Sequence, residues 1–174
     1  MTWTGGLENR PDWDSYFMTL TFVISQKSFD PNTCCGAVLV SKDKRILATG
    51  YNGPIKGAVD INIPTTAPEK YYHFLHAEEN CLLSFYGSPS DIEGSTMYIT
   101  GRMCHKCFRM MLQKGIKNFV IGHGFAKCVD EADMKAQELM MIGQGINIKE
   151  FNNIEEIEKL LNRTADYIKY KAAK

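Results

Sequence analysis

Apolar residues recur at intervals of three and four between Asp12 and Lys27, which predicts an amphipathic helix there. The run GAVLV at 36–40 and the segment RILATG at 45–50 are separated by a polar turn, a pattern typical of a β-hairpin. From residue 51 to residue 70, Gly and Pro break the sequence too often for regular structure. Loops of this length are usually functional, so we expect this segment to border a site.

Helical and strand patterns alternate from residue 72 onward. Helices are predicted at 72–86, 104–114, 130–141 and 154–171, and strands at 96–100, 116–121 and 146–151. Helices of about a dozen residues between short strands are typical of α/β proteins with parallel strands. We therefore predict an α/β sandwich in which the later strands run parallel.

Composition favours one globular domain. The chain has 174 residues, 44% of them hydrophobic, and we expect a single domain over 1–174 with its core at about 13–151 and a C-terminal helix at about 154–171. The 20 Lys and Arg balance the 20 Asp and Glu, which argues against tight non-specific nucleic-acid binding. Neither a membrane-spanning apolar run nor a signal-peptide pattern is present, so we expect no membrane partner and a cytoplasmic location, the host cytoplasm if the chain is viral.

Candidate chemistry lies at two predicted helix starts. His76 stands near the first, and Cys104 and Cys107 lie three residues apart at the second, so both thiolates point to one side. The positive end of the helix dipole favours ionised thiolates. One imidazole and two thiolates give zinc three protein ligands, and a fourth position left for water is typical of a catalytic site.

Glu78 is close enough to His76 to reach a water molecule in that fourth position. A carboxylate there can take a proton from the water and pass it to a leaving nitrogen, which is the chemistry of hydrolytic deamination. The pattern H-x-E with P-C-x-x-C is a known signature of zinc nucleobase deaminases. A redox role for the C-x-x-C pair is the alternative that its spacing leaves open.

Several motifs together resemble the cytidine deaminase superfamily. Within it they resemble most the deoxycytidylate (dCMP) deaminases, including those carried by phages. The matching segments are DPNT at 30–33 with GA at 36–37, GYNG at 50–53, HAEEN at 76–80, EGSTMYIT at 93–100 and GIK at 115–117. The resemblance covers roughly residues 13–151.

This resemblance implies a three-layer α/β/α sandwich of the cytidine deaminase type with a five-stranded mixed sheet. It implies zinc bound by His76, Cys104 and Cys107, with Glu78 as the proton shuttle. The implied reaction converts dCMP to dUMP and ammonia and supplies dUMP for thymidylate synthesis. It further implies a homo-oligomer, commonly a hexamer, and dCTP and dTTP as candidate regulators.

Substrate contacts follow from the same resemblance. Asn52 of GYNG is expected to hydrogen-bond the deoxyribose, and Ala77 to offer backbone groups to the pyrimidine edge. Lys27 and Arg102 are the candidate cations for the 5′-phosphate.

Three further residues complete the prediction. His123 and Phe125 follow the predicted strand at 116–121, at the end of a strand where α/β proteins tend to bind ligands, and are candidates to line the nucleotide pocket. Met103 stands where the family has Pro, so the φ restriction that proline gives to this helix start is absent.

Other functions remain open at this point. A deaminase of deoxycytidine, dCTP or a 5-substituted dCMP would share the zinc site. A nucleic-acid editing deaminase would need a basic groove and base-stacking aromatic residues, which the neutral net charge disfavours. A metal-stabilised structural domain would not need Glu78.

Overall fold

The computed structural model describes residue 6 and residues 9–58, 62–124 and 129–173. Within these ranges the α-helices are α1 (Trp13–Ser25), α2 (Ala77–Leu83), α3 (Pro89–Ile92), α4 (His105–Gln113), α5 (Glu131–Met141) and α6 (Ile154–Ala172). The strands are β1 (Gly36–Val40), β2 (Ile46–Tyr51), β3 (Gly53–Pro54), β4 (Phe74–Leu75), β5 (Thr96–Gly101), β6 (Asn118–Gly124) and β7 (Asn147–Phe151). None of the described helices is both long and apolar enough to cross a membrane.

Five strands form one mixed sheet in the order β2-β1-β5-β6-β7. The hairpin of β1 and β2 is antiparallel, and β1 also pairs antiparallel with β5. The pairs β5 with β6 and β6 with β7 are parallel, because each connection crosses over through a helix. The predicted mixed sheet with parallel later strands is confirmed.

Alternating side chains of the strands divide the core into two halves. Leu39, Ile99 and Ile121 belong to the cluster that packs against α2 and α4, whereas Tyr98 and Val120 belong to the cluster that packs against α1 and α6. This alternation follows from the two-residue period of a strand. Both faces of the sheet are therefore covered by helices, as a three-layer sandwich requires.

The predicted helix at 72–86 is wrong in its first part. Residues Glu69–Tyr72 form a 3₁₀ turn and Phe74–Leu75 form β4, which pairs with β3, so the helix begins only at Ala77. His76 adopts an extended backbone at ψ 160°, and its N–H donates to the Glu79 carboxylate at 2.8 Å. This capping arrangement stops the helix from extending backwards.

The segment 51–70, predicted to lack regular structure, contains β3 and the start of the 3₁₀ turn. Residues 59–61 of this segment lie outside the described residues. The prediction that it borders a site agrees with the structure, since Asn52 and Lys70 line the cavity that also contains His76 and Glu78.

Strand β2 and helix α2 approach each other closely at Gly50. A Cβ atom at this position would lie 2.3 Å from both the Ala77 carbonyl oxygen and the Cys81 amide nitrogen. Only glycine fits there without moving backbone. The contact therefore fixes the start of α2, which carries Glu78, against the sheet.

Candidate active site

Two helix N-termini meet beyond the carboxyl end of β5. His76 is the N-cap residue of α2, and Cys104 is the N-cap residue of α4, with Cys107 one turn later. The His76 Nδ1 atom lies 3.5 Å from the Cys104 Sγ and 3.4 Å from the Cys107 Sγ. Residues that are 28 and 31 positions from His76 along the chain are thus brought into contact.

These three ligand atoms fit a tetrahedral zinc ion. Zinc binds nitrogen at about 2.0–2.1 Å and sulfur at about 2.3 Å, and tetrahedral angles then place the nitrogen and sulfur about 3.6 Å apart. The observed separations match this value closely. Among the described residues this is the one cluster of three or more His, Cys, Asp or Glu side chains able to hold a metal, which disfavours a second site around His73.

Hydrogen bonds inside the cluster set its protonation. The Cys107 thiol donates to Cys104 and lowers the pKa of Cys104 to about 4, although burial opposes the shift. The same bond raises the pKa of Cys107, and the bond to Cys104 raises the pKa of His76 to about 9. The imidazole and the Cys107 thiol must therefore release protons before they bind a cation.

Glu78 lies beside the cluster, with 5% of its surface exposed. Burial disfavours the charged carboxylate and raises the pKa of Glu78 to about 7. A carboxyl group with a pKa near neutrality can both accept and donate a proton, which suits a proton shuttle.

The cluster opens into a cavity of about 370 Å³. Its wall includes His76, Cys104 and Glu78, and also Ala77, which is fully buried. Both metal-ligand elements and the predicted acid therefore face one cavity. The volume lies within the range of small-molecule sites.

Asn52 also lines this cavity, but its side-chain amide is already used by the protein. Its Oδ1 accepts the Cys35 N–H at 2.8 Å, and its Nδ2 donates to the Thr33 carbonyl at 2.8 Å and faces an Asp30 oxygen at 3.4 Å. Asn52 thereby holds the loop 30–35 against the end of β2. In this structure it shapes the cavity wall.

A buried ion pair in the same wall was not predicted from the sequence. Lys70 Nζ lies 2.5 Å from Asp30 Oδ2, and the side chains are 9% and 3% exposed. The other Asp30 oxygen accepts the N–H groups of Asn32 and Thr33. Asp30 appeared in the DPNT motif, but nothing in the sequence pattern pairs it with a residue 40 positions away.

Of the other predicted substrate-binding residues, only some line the cavity. Arg102 lines the cavity, with its side chain 48% exposed and 3.8 Å from Glu150. Lys27 lies exposed just after α1, and His123 lies exposed in β6, and neither lines the cavity. Phe125 lies outside the described residues.

Comparison with known proteins gives a family match and several similar relatives. Residues 11–123 match the cytidine and deoxycytidylate deaminase zinc-binding region. The human deoxycytidylate deaminase is 31% identical over 146 residues, which is 80% of this chain and 80% of the relative. The deoxycytidylate deaminase of Mycobacterium phage D29 is 33% identical over 128 residues, covering 64% of this chain and 95% of the relative.

A solved structure shares the fold along most of the chain. It is the dCMP deaminase of cyanophage S-TIM5 in complex with dCMP and dUMP, with a TM-score of 0.64 and 25% identity. The match covers 82% of this chain and 98% of that protein.

Proposed function

The chain belongs to the cytidine and deoxycytidylate deaminase zinc-binding family, and from this premise we propose that it converts dCMP and water to dUMP and ammonia. The observation that carries the proposal is the juxtaposition of His76, Cys104 and Cys107 at zinc-binding distances, with Glu78 buried beside them. The dCMP and dUMP bound to the structurally similar phage enzyme support the choice of substrate.

His76, Cys104 and Cys107 would hold the zinc ion, which would lower the pKa of a water molecule to about 7 and so supply the nucleophile. Glu78 would accept a proton from this water as the oxygen of the water bonds to C4 of the cytosine. Glu78 would give this proton to N3. It would then take the second proton from the hydroxyl group now on C4 and pass it to the amino group, so that the C4–N bond breaks, ammonia leaves and C4 becomes a carbonyl carbon. A single carboxyl group can accept and then donate a proton, which lets Glu78 act in both directions.

We propose that the residues lining the cavity orient the base. Ala77 lies between the metal ligand and the acid along the chain, and its backbone is the candidate partner of the pyrimidine edge. Asn52 holds the loop 30–35 through its three hydrogen bonds. We therefore propose that its main role is to shape the cavity wall beside the deoxyribose.

For the 5′-phosphate we propose Arg102. Of the two cations predicted from the sequence, Arg102 lines the cavity and Lys27 does not. The guanidinium is half exposed, and its 3.8 Å separation from Glu150 leaves it able to turn toward a phosphate. Arginine binds phosphate oxygens in a bidentate manner.

Other parts of the proposal rest on the family resemblance. We propose that the whole chain acts as a single deaminase domain and assembles into a homo-oligomer, with a hexamer favoured. We also propose dCTP and dTTP as regulators and the cytoplasm as the location. His123 and Phe125 stay predictions for the pocket.

The function is tested by ammonia release from a panel of substrates with the zinc-loaded protein. The panel contains dCMP, deoxycytidine, dCTP, 5-methyl-dCMP and a single-stranded cytosine-containing oligonucleotide. We expect dCMP to have a kcat/KM at least about tenfold above each other compound. Equal turnover of deoxycytidine would overturn the monophosphate specificity, and turnover of the oligonucleotide alone would indicate an editing enzyme.

Paired variants test the phosphate contact in the same assay. Arg102→Ala should raise KM for dCMP by about tenfold or more and leave deoxycytidine kinetics unchanged, because only dCMP carries the phosphate. Lys27→Ala is the matched control, since it removes a cation of the same charge outside the cavity. A larger effect of Lys27→Ala on dCMP would reverse this assignment.

A further inference from the structure

The turn that joins β5 to α4 has no regular structure over residues 102–104, yet it carries a metal ligand. Cys104 is the N-cap residue of α4, but its side chain makes no capping hydrogen bond. Met103 before it leaves the backbone φ unrestricted, unlike proline. The local sequence therefore does not fix the position of the Cys104 Sγ.

Helix α5 supplies a carboxylate to this unsupported helix start. Asp133 Oδ1 accepts the His105 N–H at 2.7 Å, and Asp133 Oδ2 lies 3.0 Å from the His105 Nδ1. The Asp133 side chain is 7% exposed and the His105 side chain 37% exposed, so this is a partly buried contact to a carboxylate. It satisfies a backbone donor of α4 and places a negative charge at the positive end of that helix.

One turn further along α5, Gln137 binds the peptide group on the other side of Cys104. Its Nε2 donates to the Met103 carbonyl at 2.9 Å and to Asp133 Oδ1 at 2.8 Å, and the residue is 6% exposed. The peptide groups before and after Cys104 are thus both held by buried side chains of one helix.

We propose that Asp133 and Gln137 are positioning residues of the zinc site. They hold the peptide groups flanking Cys104, so that its Sγ stays at the separation from His76 that a tetrahedral ion requires. Neither residue is a member of the three-ligand cluster or of the cavity wall, so both act through the backbone of the turn. This inference rests on the zinc site of the proposed function.

Four variants distinguish an effect on the position of the Cys104 Sγ from a general loss of stability. Asp133→Ala removes both contacts to His105, and Gln137→Leu removes the bond to the Met103 carbonyl at nearly constant volume. Asp133→Asn keeps an oxygen that can accept the His105 N–H and should rescue the site. Asp130→Ala is the matched control, because Asp130 caps α5 through the Asp133 N–H at 2.8 Å without touching the turn.

The measurements are zinc affinity by chelator competition and the thiolate-to-cobalt absorption of the Co²⁺-substituted protein. We expect Asp133→Ala and Gln137→Leu to bind zinc about tenfold or more weakly, because loss of residues that orient metal ligands commonly lowers metal affinity by that much. Both variants should also alter the cobalt spectrum. Both should lower kcat for dCMP with KM nearly unchanged. Asp133→Asn and Asp130→Ala should keep the wild-type affinity and spectrum, although Asp130→Ala lowers Tm.

Wild-type affinity and spectrum in Asp133→Ala and Gln137→Leu would overturn the inference. An equal loss of zinc affinity in Asp130→Ala would also overturn it, because the effect would then come from destabilising α5. If Asp133→Ala does not fold, the zinc affinity and cobalt spectrum of Gln137→Leu alone test the inference. Failure of the wild-type protein to show thiolate-to-cobalt absorption would instead contradict the proposed zinc site itself.

Discussion

Single residues acquire their chemistry here from what surrounds them. Glu78 is an ordinary carboxylic acid in the sequence, and burial beside the ligand cluster raises its pKa to about 7. Glu79, the next residue, uses its carboxylate to accept the His76 N–H at 2.8 Å. Two adjacent glutamates therefore have different roles, one directed into the cavity and one at the helix start.

Replacing Glu78 by Gln tests the proton shuttle. We expect Glu78→Gln to fold and keep its zinc but to lose about 10³-fold in kcat, because the amide cannot transfer protons. The measurements are steady-state kinetics with dCMP and zinc content by metal analysis. Glu79→Gln is the control, since a Gln oxygen can still accept the His76 N–H, and it should stay within a few-fold of wild type. Wild-type kcat in Glu78→Gln would contradict the mechanism.

A helix start can be predicted from the sequence when a local cap sets it, but not when pairing with a distant strand sets it. Helix α1 begins where the pattern predicted, because Asp12 caps it: its carboxylate accepts the Ser15 N–H at 2.9 Å and the Ser15 hydroxyl at 2.7 Å. Helix α2 begins five residues later than predicted, because Phe74–Leu75 pair with β3. A local cap is visible in the sequence, whereas pairing with a distant strand is not.

The α1 cap predicts a dependence of stability on pH. Burial alone would raise the pKa of Asp12, but the hydrogen bonds from Ser15 outweigh it and lower the pKa below 3.8. The stabilisation is therefore present above 3.8, the value for the unfolded chain, and is lost as pH falls through the lower value of the folded state. At neutral pH, Asp12→Ala should reduce the free energy of unfolding by about 1 kcal/mol.

Urea unfolding of both proteins at neutral pH and well below pH 3.8 measures this difference. The gap between wild type and Asp12→Ala should shrink on acidification. Asp12→Asn, which keeps a capping oxygen that does not titrate, should lose less stability than wild type over the same interval. A gap that stays constant with pH would show that the charge of Asp12 does not contribute.

At the scale of the molecule, the candidate zinc site joins parts of the chain that are far apart in sequence. It connects the start of α2 with the start of α4, across the helix, turn and strand between them. A bound ion that the unfolded chain does not hold stabilises the folded state, by about 2.7 kcal/mol when its free concentration is 100 times its Kd.

Removal of the metal should therefore lower Tm and abolish dCMP turnover. Dialysis against a chelator, followed by calorimetry and the ammonia assay, tests this expectation. Added Zn²⁺ should restore both properties, whereas Mg²⁺, which prefers oxygen ligands, should restore neither. Full activity after complete zinc removal would contradict the assignment of the site.

The sequence by itself determined the alternation of helices and strands and supplied the candidate zinc ligands and the candidate acid beside them. These features are local: periodicity follows from backbone geometry, and His76, Glu78, Cys104 and Cys107 stand in short motifs whose residue types suit the metal. The deaminase chemistry could be predicted because each of the two motifs carries its residues within a few positions of one another, although the motifs themselves lie 28 positions apart.

Only the tertiary structure decided how the cavity wall and the turn at Cys104 are held. The pair of Asp30 with Lys70 and the bonds of Asp133 to His105 join residues 40 and 28 positions apart. Such contacts form because folding buries charged and polar groups that must then find partners, wherever the chain brings them. No spacing rule in the sequence encodes that choice.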